Sequence, residues 1–370
     1  MKRQPILTIA AAALAVLTGT QRGAAHADES LATVYTMSNA ITGNRVLTFH
    51  RAPNGTLAPA GSFATGGLGT GGGLGNQGGI TLSGNDRWLL AVNAGSHDVS
   101  LFATDDDGLR LVDRAPSGGM RPVSATIHGD LVYVLNAGSD TVSGFRLRPH
   151  GQLTPLVGSV RPLSGSGTDP AQVQFRPDGR VLVVTEKATN LIVTYSVDEH
   201  GMLGSPQIQS SQGATPFGFA FGTRRQLYVS EAFNGAPDAS ALSSYRVRAD
   251  GTLHPVSPSV PTHQTAACWV VVTDDGRFAY TSNTGSGSIS GYDLDGDGTL
   301  TLLNADGRTA ETGAGSAPTD LALSDDGRFL FVLASATHQI AAFRIRSHGQ
   351  LQPVGMIGGL PAGANGLAAR

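Results

Sequence analysis

Apolar residues in this chain come in short runs, many alternating with polar ones, and each run stops at a turn signal instead of continuing at helical spacing. "WVVVTD" and "TDLALS" lead into DGR-type turns, and "RFAYTSN" and "RFLFVLA" leave them. "SISGY" and "TVSGF" then alternate and end on an aromatic, and a Gly-containing turn leads to a last segment such as "LTPLV". Each of these reads as a strand, so the pattern predicts four strands followed by the same four again.

The repetition can be followed along the chain. "DDGRFAYTSNTGSGSISGYDLDGDGTL" (Asp274–Leu300) is echoed by "DDGRFLFVLASATHQIAAFRIRSHGQL" (Asp325–Leu351). Further copies begin at Thr33, Trp88, Leu131, Val181 and Gln226, which makes seven. The ends of the second strands fall at Asn39, Asn93, Asn136, Glu186, Glu231, Asn283 and Ala334, a mean spacing of about 49 residues. Four-stranded units of that length repeated in this way predict an all-β, seven-bladed β-propeller. The first copy lacks a leading strand, and "ANGLAAR" (Ala364–Arg370) is a leading strand with nothing after it. Joining them gives a 3+1 closure that removes two free sheet edges.

Composition agrees. Gly numbers 50 of 370 residues, and charged residues are 14%. The net charge of −3 comes with no basic block, which excludes nucleic acid as an expected partner. Residues 1–27 have a basic start, an apolar run and small residues at Ala25–Ala27, the outline of a general-secretion signal peptide cleaved after Ala27. That leaves residues 28–370 as one propeller domain, secreted or periplasmic. No later stretch reaches membrane-spanning length, and a monomer is expected. The single cysteine, Cys268, reads as a buried hydrophobe.

Candidate chemistry begins at "VLVVTEKATN" (Val181–Asn190), where an apolar strand ends on two opposite charges. In a propeller the starts of the first strands and the ends of the second strands meet around one mouth of the channel. Asn93, Asn136 and Asn283 at second-strand ends suit turn-opening Asx chemistry, and all three also qualify as ligand contacts at the mouth. Glu is a poor turn and strand residue, so Glu186 and Glu231, in neighbouring blades, are expected to face a site there. Lys187 reads either as a partner of Glu186 or as a ligand contact. Phe217, Trp269 and Asp320, at first-strand starts, complete the expected ligand-binding set, with Gln172 at the same level.

Other motifs carry less. "GGLGTGGGLGNQGG" (Gly66–Gly79) holds a G-x-G-x-x-G match, but no helix follows it, so it reads as an inter-blade loop over the mouth, able to act as a lid. "DLDGDGTL" places Asp293, Asp295 and Asp297 at calcium-loop spacing without the closing Glu, so turn chemistry competes with a weak structural calcium site. No cofactor is required. No G-x-S-x-G elbow sits between a strand and a helix, which leaves a serine-hydrolase reading without support.

The repeat outline, "DDGRF.Y.SN.GS.SI..Y" followed by "DG.L", resembles the seven-bladed lactonase family, which includes bacterial 6-phosphogluconolactonase and fungal carboxymuconate cyclase. The resemblance spans the chain after residue 27. It implies a Pro-Arg-His at the start of one first strand and a Glu at the end of the next strand. Pro170 and Glu186 match; Ala171 and Gln172 stand where Arg and His would be. The resemblance implies a lactone hydrolase in which Glu186 or Glu231 activates water and Gln172 or Lys187 stabilises the oxyanion. A non-catalytic binding or scaffold propeller is the competing reading.

Overall fold

The structure, a computed structural model, describes Met1 and residues 32–105, 108–223 and 225–370. The expected export segment and its cleavage after Ala27 lie outside the described residues. The propeller is the compact unit from Leu31 to Arg370.

Burial follows the position of each strand in its repeat. The second strands are covered on both faces, so Val181–Glu186, Phe278–Asn283 and Phe329–Ala334 are buried at every position. Leu57–Ala64 and Leu351–Gly358, fourth in their repeats, are largely exposed. Such a gradient from inside to rim is what radially arranged sheets require.

The strands form seven antiparallel sheets among the described residues. Blade 1 joins Asn365–Ala369 to Thr33–Met37, Arg45–Arg51 and Leu57–Ala64. The join is explicit in the pairs Val34↔Ala369, Tyr35↔Ala368 and Met37↔Asn365. Blade 2 runs from Ile80–Leu82 to Gly108–Pro116, and blade 3 from Pro122–His128 to Arg161–Pro162. Blade 4 runs from Pro170–Phe175 to Gln207–Ser210, and blade 5 from Pro216–Phe221 to Leu253–Pro261. Blade 6 runs from Ala267–Val272 to Ala310–Glu311, and blade 7 from Pro318–Leu323 to Leu351–Gly358. In blades 3 and 6 the fourth strand is broken into two pieces that pair the same third strand.

Two recurring turns hold the repeat together. In the DGR turns the Asp side chain accepts the N–H two residues on, as Asp275 does from Arg277 (3.0 Å) and Asp326 from Arg328 (3.1 Å). The glycine of the later turn receives an aromatic ring from the preceding blade. Tyr280 donates its hydroxyl to the Gly349 carbonyl (2.9 Å), and Tyr133 does so to Gly201 (2.7 Å). A Cβ on Gly349 would lie 2.6 Å from the Phe278 ring, and its φ of +73° already favours glycine.

The Asp293, Asp295 and Asp297 turn belongs to this class and not to calcium loops. Asp293 is in the strand Ser288–Leu294, while Asp297 accepts the Thr299 N–H (2.9 Å) just as Asp250 accepts that of Thr252 (2.9 Å). The three carboxylates do not converge, and no metal-holding group of three appears among the described residues.

Candidate functional site

At the ends of the second strands of blades 2 to 6 a polar side chain turns into the blade and bonds the third strand or the incoming inter-blade loop. Asn136 donates to the Ser117 carbonyl (3.4 Å) and to Ser143 Oγ (3.0 Å). Asn93 donates to Asp98 (2.6 Å) and Ser100 (2.8 Å), and Asn283 to Ser288 (3.1 Å) and Ser290 (2.9 Å). All three are fully buried, so they are not ligand contacts at the mouth.

The two glutamates do the same with opposite polarity. Glu186 accepts the Ser164 N–H (2.9 Å), the Ser164 hydroxyl and the Thr189 hydroxyl (2.7 Å). Glu231 accepts from Gly213 N (2.7 Å), Ser243 Oγ (2.6 Å), Ser259 Oγ (2.6 Å) and Ser211 Oγ (3.3 Å). Both are 0% exposed, and they share no partner. The pair of carboxylates expected to face one another at the mouth is therefore not what the fold builds. In blade 1 the corresponding residue is Ser38, whose N–H bonds Arg45 (2.8 Å), so Asn39 lies one position further on.

The mouth itself is made by a second repeated corner. Arg121, Asp169, Thr215, Ala266 and Ala317 precede the first strands of blades 3 to 7 with φ between 46° and 59°. Each carbonyl accepts the N–H of the residue after the clamp: Ala137, Lys187, Ala232, Thr284 and Ser335. Left-handed non-glycine residues are strained, and five in a ring mark this face. The sequence signal for this corner is "RP", "DP", "TP" and "AP" before four first strands, which the strand pattern alone does not bring out.

Lys187 is the one lysine or arginine among those five donor positions. It is 8% exposed and pairs with Asp169 (3.4 Å), not with Glu186. Its ammonium lies 4.9 Å from the centre of the Phe217 ring. Burial pushes the Lys187 pKa below the usual lysine range, with Asp169 opposing that shift. Phe217 in turn meets Trp269 at 4.8 Å. Cys268 is buried beside them, and that burial pushes its thiol up to about 12.

A glycine-rich strap crosses this corner. Gly69 and Gly71 donate to the Ala40 and Asn39 carbonyls (both 2.8 Å), and a Cβ on Gly69 would lie 2.1 Å from the Asn39 backbone. Close backbone approach, not a cofactor, explains these glycines. The Gly75 carbonyl accepts from Lys187 Nζ (2.5 Å), and the Asn76 carbonyl accepts from Trp269 Nε1 (2.7 Å). Gln77 enters the channel, its amide exchanging hydrogen bonds with the Val270 backbone (2.7 and 3.1 Å).

Gln172 and Asp320 form a belt at the same depth. The Gln172 amide exchanges hydrogen bonds with the Phe219 backbone (2.7 and 3.0 Å) and gives its second N–H to Gln174 Oε1 (3.3 Å), which commits it to joining two blades and leaves no donor for an oxyanion. Asp320 accepts the N–H groups of Leu321 (2.8 Å) and Leu367 (2.9 Å) and is 2% exposed. Burial raises its pKa well above the carboxylate range. Beyond the belt the channel widens into a cavity of about 480 Å³ that reaches the exposed Asp274. Of the residues singled out in the sequence, then, Lys187, Phe217 and Trp269 share the mouth, Gln172 and Asp320 share the belt, and the rest lie inside blades or turns.

The sequence matches the family described as "Lactonase, 7-bladed beta-propeller" over residues 42–165, 158–262, 222–313 and 243–361. A periplasmic gluconolactonase of Pseudomonas aeruginosa superposes with a TM-score of 0.74 at 17% identity, over 92% of this chain and 99% of the other. A candidate 6-phosphogluconolactonase of Bacteroides fragilis gives 0.73 at 20% identity, over 92% and 98%. A protein of Lactobacillus plantarum gives 0.74 at 17% identity, over 92% and 99%. At these identities the likeness to solved structures carries the fold.

Proposed function

Since the chain belongs to the lactonase family of seven-bladed β-propellers, we propose that it is an exported protein that binds a small lactone or its hydroxy acid at the Lys187 corner. The carrying observation is a cation buried at the channel mouth whose partners are Asp169, the Gly75 carbonyl and the face of Phe217. A ligand oxygen bearing negative charge takes the place of the Gly75 carbonyl, and the strap moves to admit it. Hydrolysis at this corner has Lys187 stabilising the oxyanion as water adds to the lactone carbonyl. Asp169, with a side chain 58% exposed, accepts a proton from that water as it adds and returns it to the ring oxygen as the C–O bond breaks, giving the hydroxy acid. Export is supported by the basic start and apolar run of residues 1–27.

A binding-only propeller is the second reading, favoured by Ala171 and the committed Gln172 at the positions of the family Arg and His. Both readings meet in one experiment on the protein lacking residues 1–27. Lactones and their hydroxy acids are titrated with Trp269 fluorescence as the readout, because the strap carbonyl of Asn76 bonds that indole, and hydrolysis is followed in parallel. Lys187→Ala is expected to abolish the response, and Asp169→Asn to keep binding but lose turnover. Binding should weaken with rising pH sooner than for an ordinary lysine, as the depressed ammonium loses its proton. Binding without turnover in the unmodified protein selects the second reading. An unchanged response in Lys187→Ala removes the corner from both.

A further inference from the structure

The channel beyond Gln77 offers a second site, independent of the Lys187 corner and on the other side of the strap. We propose that this cavity binds a linear polyamine, with one ammonium on Asp320 at the closed end and another among the carboxylates of the far rim.

Asp320 is the anchor. It lines the cavity, is 2% exposed, and has one backbone N–H on each oxygen, so each oxygen keeps a free acceptor position. No lysine or arginine forms an ion pair with it among the described residues. The two glutamine amides at its level are satisfied on both sides, whereas Asp320 puts a charge-capable group where neutral side chains suffice to join blades. Burying a carboxylate without a counter-charge is costly, and a cationic ligand supplies the missing charge.

The rim continues the pattern. Asp274 lines the cavity, with its pKa raised by burial and then by Asp275. Asp325 is raised to about 6 by burial and then by Asp86, with Asp274 adding to the effect and Arg370 opposing it. Arg277 and Arg346 line the neighbouring groove with Asp274 and Asp325; Arg277 is engaged over the Phe278 ring at 5.0 Å. Between belt and rim the walls mix the apolar Ile127, Phe221, Val271 and Leu323 with Thr81, Thr126 and Gln174, so methylene segments find apolar contact along part of the way. Asp320 lies on the strand Pro318–Leu323 and Asp325 in the turn that follows, so the two are at most roughly 16 Å apart at about 3.3 Å per residue. A span of that order suits an extended polyamine better than a monoamine or a bare metal ion.

The test is isothermal titration calorimetry of spermine into the protein lacking residues 1–27, with magnesium chloride at matched ionic strength as control. Spermine is expected to bind and to release protons near pH 6, read from buffers of different ionisation heat. Asp320→Asn and Asp274→Asn should each weaken binding at least about tenfold, while Lys187→Ala leaves it unchanged. Should Asp320→Asn fail to fold, Asp274→Asn and Asp325→Asn at the exposed rim decide the matter. Absence of spermine binding at millimolar concentration overturns the proposal. So does an equal response to magnesium, or binding kept in the rim variants. In those cases Asp320 is a protonated joint between blades 7 and 1.

Discussion

Replacing Glu231 by Ala removes the acceptor for the Gly213 N–H and for three serine hydroxyls inside blade 5. The hydroxyls can rotate, and Ser211 has Tyr245 within 3.4 Å as an alternative. The Gly213 N–H is fixed by the backbone and is left buried and unpaired, at about 1–3 kcal/mol. Adding the volume vacated by the carboxylate and the weakened hold on residues 211–213 brings the loss to about 3–5 kcal/mol. A unit spanning Leu31–Arg370 has an unfolding entropy near 60 °C of about 0.7 kcal/mol/K. The melting temperature should therefore fall by about 4–7 °C. Glu231→Gln keeps one oxygen and exchanges the other for an amide that Ser259 can accept from, so it should lose only about 1–3 °C, as charge-assisted bonds become neutral ones. Differential scanning calorimetry gives both numbers, and the Trp269 titration reports the mouth in the same samples. A Glu231→Ala protein that melts within about 1 °C of the parent and has lost its ligand response would refute this account and return Glu231 to the site.

Two further outcomes follow from the blade joints. Deleting Asn365–Arg370 removes the inner strand of blade 1 and the Leu367 N–H that Asp320 accepts. A larger drop in melting temperature than for Glu231→Ala, with concentration-dependent aggregation in light scattering, is expected; an unchanged melt would show that the strand pairing contributes nothing. At the rim, the raised Asp325 pKa means that the folded state holds this proton more tightly than the unfolded chain, so its contribution is intact below about pH 4 and is lost as pH rises through about 6. Asp325→Asn should match the parent in melting temperature at pH 4 and exceed it at pH 7, and a variant that is less stable at pH 7 would contradict the sign.

The repeats make the fold legible because each blade places the same residue types at the same points: DGR at one turn, Gly at the other, an aromatic between them. The site is less legible for a definite reason. Second strands are buried on both faces, so alternation does not say which way the side chain at their end projects, and Glu186 and Glu231 read as facing the mouth when they face into their blades. Their hydrogen-bond donors, Ser164, Thr189, Ser211, Gly213, Ser243 and Ser259, are small polar residues that abound everywhere in this sequence and single out no partner. Lys187 stands out in the sequence, but the nearest opposite charge is Glu186, one residue away, whereas its partner lies 18 positions earlier, at Asp169. The left-handed corner that brings Asp169 there is a backbone property, visible only as a proline after a varied residue. Asn39 is displaced by one residue because Ser38 and Asn39 fit the outline equally well until pairing with Arg45 fixes the register.

Gln77 ties the glycine-rich strap to the channel wall. Its amide reaches across to Val270, and Gly218 has no side chain because a Cβ there would sit 2.1 Å from the Gln77 oxygen. Gln77 lines the cavity with Asp320, whereas Lys187 lies at the mouth against the Gly75 carbonyl of the same strap. Burial lowers the Lys187 pKa and raises that of Asp320, so each group keeps its charge only beside a counter-charge, which Asp169 supplies to the first and the proposed ligand to the second. In the two proposals a single small anion serves the first and an extended cation the second. An amide suits position 77 because it can donate and accept at once without adding charge beside either group.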